Sequence, residues 1–335
     1  MSAALPIHPI PYSPFLMKRR KILTSLLVLL AVVLAVLAAG SCYMVDFALS
    51  NADRDRSTNA GYASVMQNYP ELRPWLDSLR HERAISDTLI TLPDGEHQYA
   101  LCIRSRTAHG RTAVLVHGYK NRLANMLPYA RIYNKVLGYN ILLPDLHGHG
   151  HSDGDDIRMG WKDRLDVMRW MDLVPQMFCS DADTVRMVVH GVSMGAATTM
   201  CVAGEKTPDA VRCFVEDCGY TSVWDEFRGE LRNQFSLPAF PLLYTSDALC
   251  RIRYGWTFGE ASPLRQVAKC RKPMLFIHGS ADDFVPTAMV HPLYAAKPGQ
   301  KALWIAPGSA HARSYRDHRD EYTARVTQFV SRYIH

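Results

Sequence analysis

None of the eight cysteines stands in a C-x-x-C pair, so the chain carries no local signature of a zinc site. Several lie inside apolar runs, where a thiol packs as a small hydrophobe. No cluster of Lys and Arg with interleaved aromatics occurs, which removes the usual footprint of nucleic-acid binding. No internal repeat is evident. Apolar residues make up 48% of the 335 and charged residues 21%, a balance that supports a substantial core and argues against disorder beyond the N-terminus.

The longest absence is of charge. Residues 22–40 hold no ionisable side chain and are dominated by Leu, Val and Ala; nineteen residues come close to the ~20 that cross a bilayer core. Lys18-Arg19-Arg20-Lys21 precede them, which predicts a cytoplasmic segment 1–21, a transmembrane signal anchor over 22–41, and the remainder across the membrane, outside the cytoplasm. Pro6, Pro9, Pro11 and Pro14 disfavour a helix before the basic cluster. Two other readings stay open: a cleaved signal peptide ending in Ala38-Ala39-Gly40-Ser41, and a lipoprotein signal ending at Cys42, although the Leu usual three residues before such a cysteine is missing. A buried soluble helix is disfavoured because no polar face interrupts the run. Of 38 Lys and Arg, removal of these four leaves 34 against 32 Asp and Glu, an ordinary surface.

Residues 42–83 read as a connector, with a helix expected over 62–81. Beyond it the rhythm becomes regular. Strands are expected at 85–92, 98–104, 112–116, 140–144, 185–190, 211–216, 274–278 and 302–306, and helices at 123–137, 161–174, 196–204, 287–296 and 314–333. The first two strands form a hairpin through Pro93-Asp94-Gly95, and the alternation that follows implies a mostly parallel eight-stranded sheet with helices on both faces, a domain spanning 84–335. One insertion, about 223–264, breaks that rhythm. Trp224, Phe227, Phe235, Phe240, Tyr244, Tyr254, Trp256 and Phe258 crowd it, as expected of a helical cap.

Gly191-Val192-Ser193-Met194-Gly195 follows an apolar strand and precedes the small-residue run Ala196-Ala197-Thr198-Thr199. G-x-S-x-G between strand and helix places a serine on a sharp turn, with Gly191 and Gly195 demanded by its tightness. The helix N-terminus aims N–H groups at that serine. A serine needs a base, and the base an orienting acid. In a parallel α/β sheet these belong at the C-terminal ends of strands. Asp282 in Gly279-Ser280-Ala281-Asp282-Asp283-Phe284-Val285-Pro286 and His311 in Pro307-Gly308-Ser309-Ala310-His311 stand there. Asp217, after the sixth strand, is the alternative acid. His117, His190 and His278 leave apolar strands and read as scaffold.

With Ser193, Asp282 and His311 in that order, the chain from its third strand onward resembles an α/β-hydrolase-fold serine hydrolase. His117-Gly118-Tyr119 is similar to that family's oxyanion loop, which implies that the backbone N–H groups of Tyr119 and Met194 form the oxyanion hole. Asp145-Leu146-His147-Gly148-His149-Gly150-His151-Ser152 resembles its structural D-x-x-G-x-G-x-S loop, with His147 where Arg is frequent. Gly160-Trp161, Asp217-Cys218-Gly219-Tyr220 and Ala261-Ser262-Pro263-Leu264 are similar to a bacterial membrane-anchored subgroup of unassigned substrate. The resemblance implies a carboxylic ester hydrolase that uses neither metal nor organic cofactor and acts on a small-molecule or lipid ester. Thioester or lipid deacylation, and peptide hydrolysis, are the alternatives within the same chemistry. A catalytically silent, membrane-tethered binding protein is the alternative of another class.

Overall fold

The computed structural model describes residues 14–55, 57–93, 95–178 and 184–335. Asp94, at the tip of the expected hairpin, and Cys179 lie outside them. All eight strands form where the apolar runs place them: β1 (Ile85–Thr91), β2 (His97–Ile103), β3 (Arg111–Val116), β4 (Asn140–Pro144), β5 (Arg186–Val192), β6 (Val211–Asp217), β7 (Met274–Gly279) and β8 (Lys301–Ala306). They make one sheet in the order β1-β2-β4-β3-β5-β6-β7-β8. β1 and β2 are antiparallel to their neighbours, and every pairing from β4 to β8 is parallel.

Side chains of each central strand alternate between two apolar layers. Val114 and Val116 of β3 point into one, Ala113 and Leu115 into the other, because successive strand residues face opposite sides. On the first face lie α5 (Asp163–Met177) and α6 (Met194–Ala203); on the second lie α2 (Thr58–Asn68), α3 (Arg73–His81), α4 (Leu127–Arg131) and α12 (Arg319–Val330). The expected helix over 62–81 is divided, since Pro70 opens a 3-10 turn, Pro70–Leu72, between α2 and α3. The expected helix 123–137 likewise breaks into a 3-10 turn, α4 and a π-helical turn, Ile132–Val136. The C-terminal helix is interrupted at His318, between α11 (Ser314–Asp317) and α12. The segment 287–296 starts as a 3-10 turn before α10 (Val290–Ala296).

The insertion forms α7 (Val223–Phe235) and α8 (Leu242–Tyr254), followed by α9 (Pro263–Val267). Ser222 caps α7 by accepting the N–H of Asp225, and Ser262 caps α9 through Arg265 N–H.

At the N-terminus a single helix, α1 (Pro14–Leu49), runs for 36 residues, about 54 Å. Among the described residues it is the one helix long and apolar enough to cross a membrane; its most apolar eighteen-residue stretch has a mean hydropathy of 3.0 and is not buried at all. The apolar run expected to end near residue 41 therefore continues as helix for two further turns. Those turns are part of the globular body: Ser41, Val45 and Leu49 are buried on one helical face. Ser41 Oγ donates to Thr245 Oγ1 (2.7 Å), Ile157 N–H donates to Leu49 O (2.7 Å), and Arg253 pairs with Asp46.

Candidate active site

β5 delivers Ser193 into the turn that precedes α6. Ser193 has φ 59° and ψ −122°, a strained backbone for a residue with a side chain. The flanking glycines are required by space. A Cβ on Gly191 would strike the carbonyl oxygen of Gly195, and a Cβ on Gly195 would strike that of Val116. Ser193 N–H donates to Asp217 O at 2.8 Å and holds the turn against β6. Met194 opens α6, so its N–H has no helical acceptor. Gly118 abuts the serine, for a Cβ there would lie 3.3 Å from Ser193 Cβ. Tyr119, next to Gly118, and Met194 both line the cleft that holds Ser193.

Ser193, His311 and Asp282 meet although 118 residues separate the first two. Ser193 Oγ lies 2.8 Å from His311 Nε2, and His311 Nδ1 lies 2.8 Å from Asp282 Oδ2. The loop after β7 fixes the acid: Asp282 Oδ1 accepts the N–H groups of Phe284 (3.2 Å) and Val285 (3.0 Å). His278 Nε2 approaches Oδ2 at 3.3 Å while bonded to Val285 O at 2.9 Å. Burial works to raise the Asp282 carboxyl, but the hydrogen bonds and charges of His278 and His311 outweigh it and hold the group below its ordinary value. The imidazole of His311 is 20% exposed and the Asp282 side chain not at all, so a ligand can reach the base and not the acid.

Asp217 sits elsewhere. Its Oδ2 accepts the Tyr322 hydroxyl (3.0 Å), the end of a buried chain in which Tyr133 OH contacts His190 Nδ1 and His190 Nε2 contacts Tyr322 OH, both at 3.0 Å. Tyr322 donates to the carboxylate, so it accepts from His190 Nε2, and Nδ1 accepts from Tyr133. Burial pushes His190 down to about 3, which keeps it neutral. His117 is also neutral scaffold: burial lowers it, its Nε2 accepts Leu146 N–H (3.0 Å), and its Nδ1 donates to Gly118 O (2.9 Å). His147, in the position where Arg is frequent, pairs with Asp156 (3.0 Å) and Glu96 (2.9 Å), so a single imidazole spans two carboxylates.

Cys218 Sγ, Asp282 and His311 place ligand atoms within 4.8 Å of one another. Burial raises the Cys218 thiol well above its ordinary value, and the Asp282 and His311 atoms already bond each other. The donor set is thus unsuited to a metal, which needs a thiolate and a free imidazole nitrogen.

Two participants had no sequence signal. Glu216, buried one residue before Asp217, accepts Gly219 N–H at 3.1 Å and is pushed up to about 8 by burial, partly offset by His278. Its folded-state value lies above its unfolded one, so its contribution to stability is complete below about pH 4.5 and is lost as pH rises through about 8. Glu216→Gln is therefore expected to narrow the difference in melting temperature between pH 5 and pH 8.5; an unchanged difference would mean that Glu216 is ionised in the fold. The second is Glu226 of α7, which faces the cleft. It is 4% exposed, and burial raises it well above its ordinary range. Sequence alone offered only an acidic residue on a surface helix.

The cleft above Ser193 measures about 200 Å³. Cap residues Phe227, Leu231, Phe235 and Leu243 line it, as do Phe258 and Phe284 of neighbouring loops, and Met44, Phe47 and Ala48 of α1.

Residues 132–335 match the model of the prolyl oligopeptidase family. The uncharacterized protein YqkD of Bacillus subtilis is 32% identical over 219 residues, 65% of this chain and 70% of its own. The pimeloyl-[acyl-carrier protein] methyl ester esterase of Xanthomonas oryzae is 26% identical over 67% of this chain and 96% of its own. Among solved structures, the Pyrococcus furiosus esterase Pf2001 superposes with a TM-score of 0.60 at 23% identity, over 75% of this chain and 93% of its own. The acylaminoacyl peptidase of Pyrococcus horikoshii does so with a TM-score of 0.56 at 18% identity, over 74% of this chain and 40% of its own. These two likenesses carry the fold.

Proposed function

Because the chain belongs to the prolyl oligopeptidase family of α/β-hydrolase-fold serine hydrolases, we propose that it hydrolyses carboxylic esters through an acyl-enzyme on Ser193. The observation that carries this reading is the continuous hydrogen-bonded row Ser193–His311–Asp282 at 2.8 Å per step, at the foot of a largely apolar cleft.

His311 Nε2 takes the proton of Ser193 Oγ as that oxygen attacks the ester carbonyl. Asp282 fixes the tautomer with the proton on Nδ1 and stabilises the imidazolium. The backbone N–H groups of Tyr119 and Met194 hold the oxyanion, each worth about 2.7–4 kcal/mol in comparable sites. The tetrahedral adduct collapses, the alkoxide leaves with the proton from His311, and an acyl-serine remains. Water, deprotonated by the same imidazole, then attacks the acyl carbonyl. The products are a carboxylic acid and an alcohol, and Ser193 regains its proton.

Peptide hydrolysis is the second reading, favoured by the family match alone. The lining supports an ester with an apolar acyl group, since Phe227, Leu231, Phe235, Leu243, Phe258 and Phe284 make most of its wall apolar. The apolar stretch of α1 and the four charges before it support a single-pass anchor, with the N-terminus cytoplasmic and the catalytic domain on the opposite side.

A fluorophosphonate probe tests the nucleophile. Wild-type protein in detergent is expected to be labelled at Ser193, and Ser193→Ala to take up no label. A folded wild type that stays unlabelled would leave a tethered binding protein as the better account.

A further inference from the structure

We propose that the substrate is an acyl ester dissolved in the bilayer, and that its chain reaches Ser193 along a cleft whose outer wall is the last two turns of the membrane helix α1. This rests on the serine-hydrolase reading above and names the substrate class.

The direction of the cleft is set by a burial gradient along α7 and by two contacts with α1. α7 presents Glu226, Glu230 and Gln234 to it, one row at helical spacing. Along that row side chains pass from buried through half-buried to exposed, so the cleft opens toward the C-terminal end of α7. There Phe235 meets Phe47 of α1 edge to face, with ring centroids 5.5 Å apart. Leu242, which also lines the cleft, lies against Gly40: a Cβ on Gly40 would stand 3.2 Å from Leu242 Cδ1. Gly40 ends the stretch dominated by Leu, Val and Ala, with Ser41, Cys42 and Tyr43 next and the first charge at Asp46, so the cleft extends from the serine to the level at which α1 leaves the hydrocarbon.

The spacing along α1 agrees. Residues 22–40 span about 28 Å, close to the hydrocarbon thickness. Met44 follows Gly40 by about 6 Å and Ala48 by about 12 Å. α1 continues through this point unbroken, so no flexible linker separates the bilayer from the cleft wall. Tyr119 OH donates to Ala48 O at 2.8 Å, tying that wall directly to the loop beside the serine.

The cap supplies an independent observation. α8 runs parallel to α1, with Leu242 beside Gly40, Thr245 beside Ser41 and Arg253 beside Asp46. Phe240 and Tyr244 stand at the Gly40 level and are 72% and 55% exposed, with their rings 5.8 Å apart. Exposed aromatics at that depth belong to the headgroup boundary. The cap thus rests on the membrane surface beside the cleft mouth. Inside, burial raises the Glu226 carboxyl well above its ordinary range, which disfavours a charge beside an apolar chain at this position.

The test uses the full chain in phosphatidylcholine vesicles with 4-nitrophenyl acetate and 4-nitrophenyl palmitate. Each methylene held by the cleft contributes about fourfold to kcat/KM, so the palmitate-to-acetate ratio is expected to exceed about 100. Ala48→Trp, which narrows the cleft, and Met44→Ser, which adds no bulk, are each expected to lower that ratio at least tenfold. Phe240→Ser with Tyr244→Ser is expected to lower palmitate turnover in vesicles relative to turnover in detergent micelles. A wild type that prefers acetate, or a ratio unmoved by both α1 variants, overturns the bilayer route while fluorophosphonate labelling of Ser193 keeps the hydrolase reading intact. Loss of labelling in the wild type overturns both.

Discussion

Asp282→Asn is expected to lower kcat on a short aryl ester about 10⁴-fold, and Asp217→Asn to lower it less than tenfold. An amide at 282 removes the acceptor that His311 Nδ1 needs at 2.8 Å. The imidazole then favours a proton on Nε2, where it faces Ser193 Oγ as a donor and cannot act as base. Asp217 bonds Tyr322 instead, and burial already pushes it up to about 6. An amide there still accepts the tyrosine hydroxyl. Because that native value is raised, Asp217→Asn is also expected to gain stability relative to wild type as pH rises from 4 to 8. Steady-state rates beside the rate of fluorophosphonate labelling separate the two acids; the reverse ranking would assign Asp217 as the partner of His311.

The second large effect concerns where the N-terminal helix can be cut. A chain beginning at Ser41 is expected to fold and to stay in solution without detergent, because it keeps Val45 and Leu49. A chain beginning at Asp53 is expected to lose its cooperative melt. Val45 and Leu49 are 1% and 0% exposed, and burying such side chains contributes about 1.5–3 kcal/mol each. Together that is about 3–6 kcal/mol from a total of about 5–15 for a typical domain. Also removed are the acceptors Leu49 O for Ile157 N–H and Ala48 O for Tyr119 OH. Thermal melts of the two truncations decide it; equal melting temperatures would mean that the end of α1 only leans on the domain. Cleavage after Gly40, or lipid attachment at Cys42, would leave the cleft wall in place.

Strands and the elbow were legible because their signals are local. Four or five β-branched or apolar residues in a row make a buried parallel strand wherever they occur. The glycines around Ser193 are demanded by contacts with the adjacent residues and β3, which recur whenever such a turn is made. Helix continuity was less legible. Pro70 and the distortion over Ile132–Val136 divide segments whose apolar spacing alone reads as unbroken. The run of apolar residues 22–40 announced a long apolar helix but not where that helix ends, since Ser41, Val45 and Leu49 form a buried stripe only in the folded domain.

The order Ser193, Asp282, His311, the apolar N-terminal run and the parallel sheet were therefore determined by the chain's own pattern. Which carboxylate faces His311 was decided by tertiary structure, because both Asp217 and Asp282 follow apolar strands, and only the fold of the loop over Phe284 and Val285 turns one of them toward the imidazole. The wall of the cleft was decided the same way. Met44 and Phe47 are ordinary apolar residues at the end of a long apolar helix until the cap, some two hundred residues later in the chain, packs against them. Local patterns fix elements through nearest-neighbour sterics and burial; a cleft between distant segments exists only once their surfaces have met.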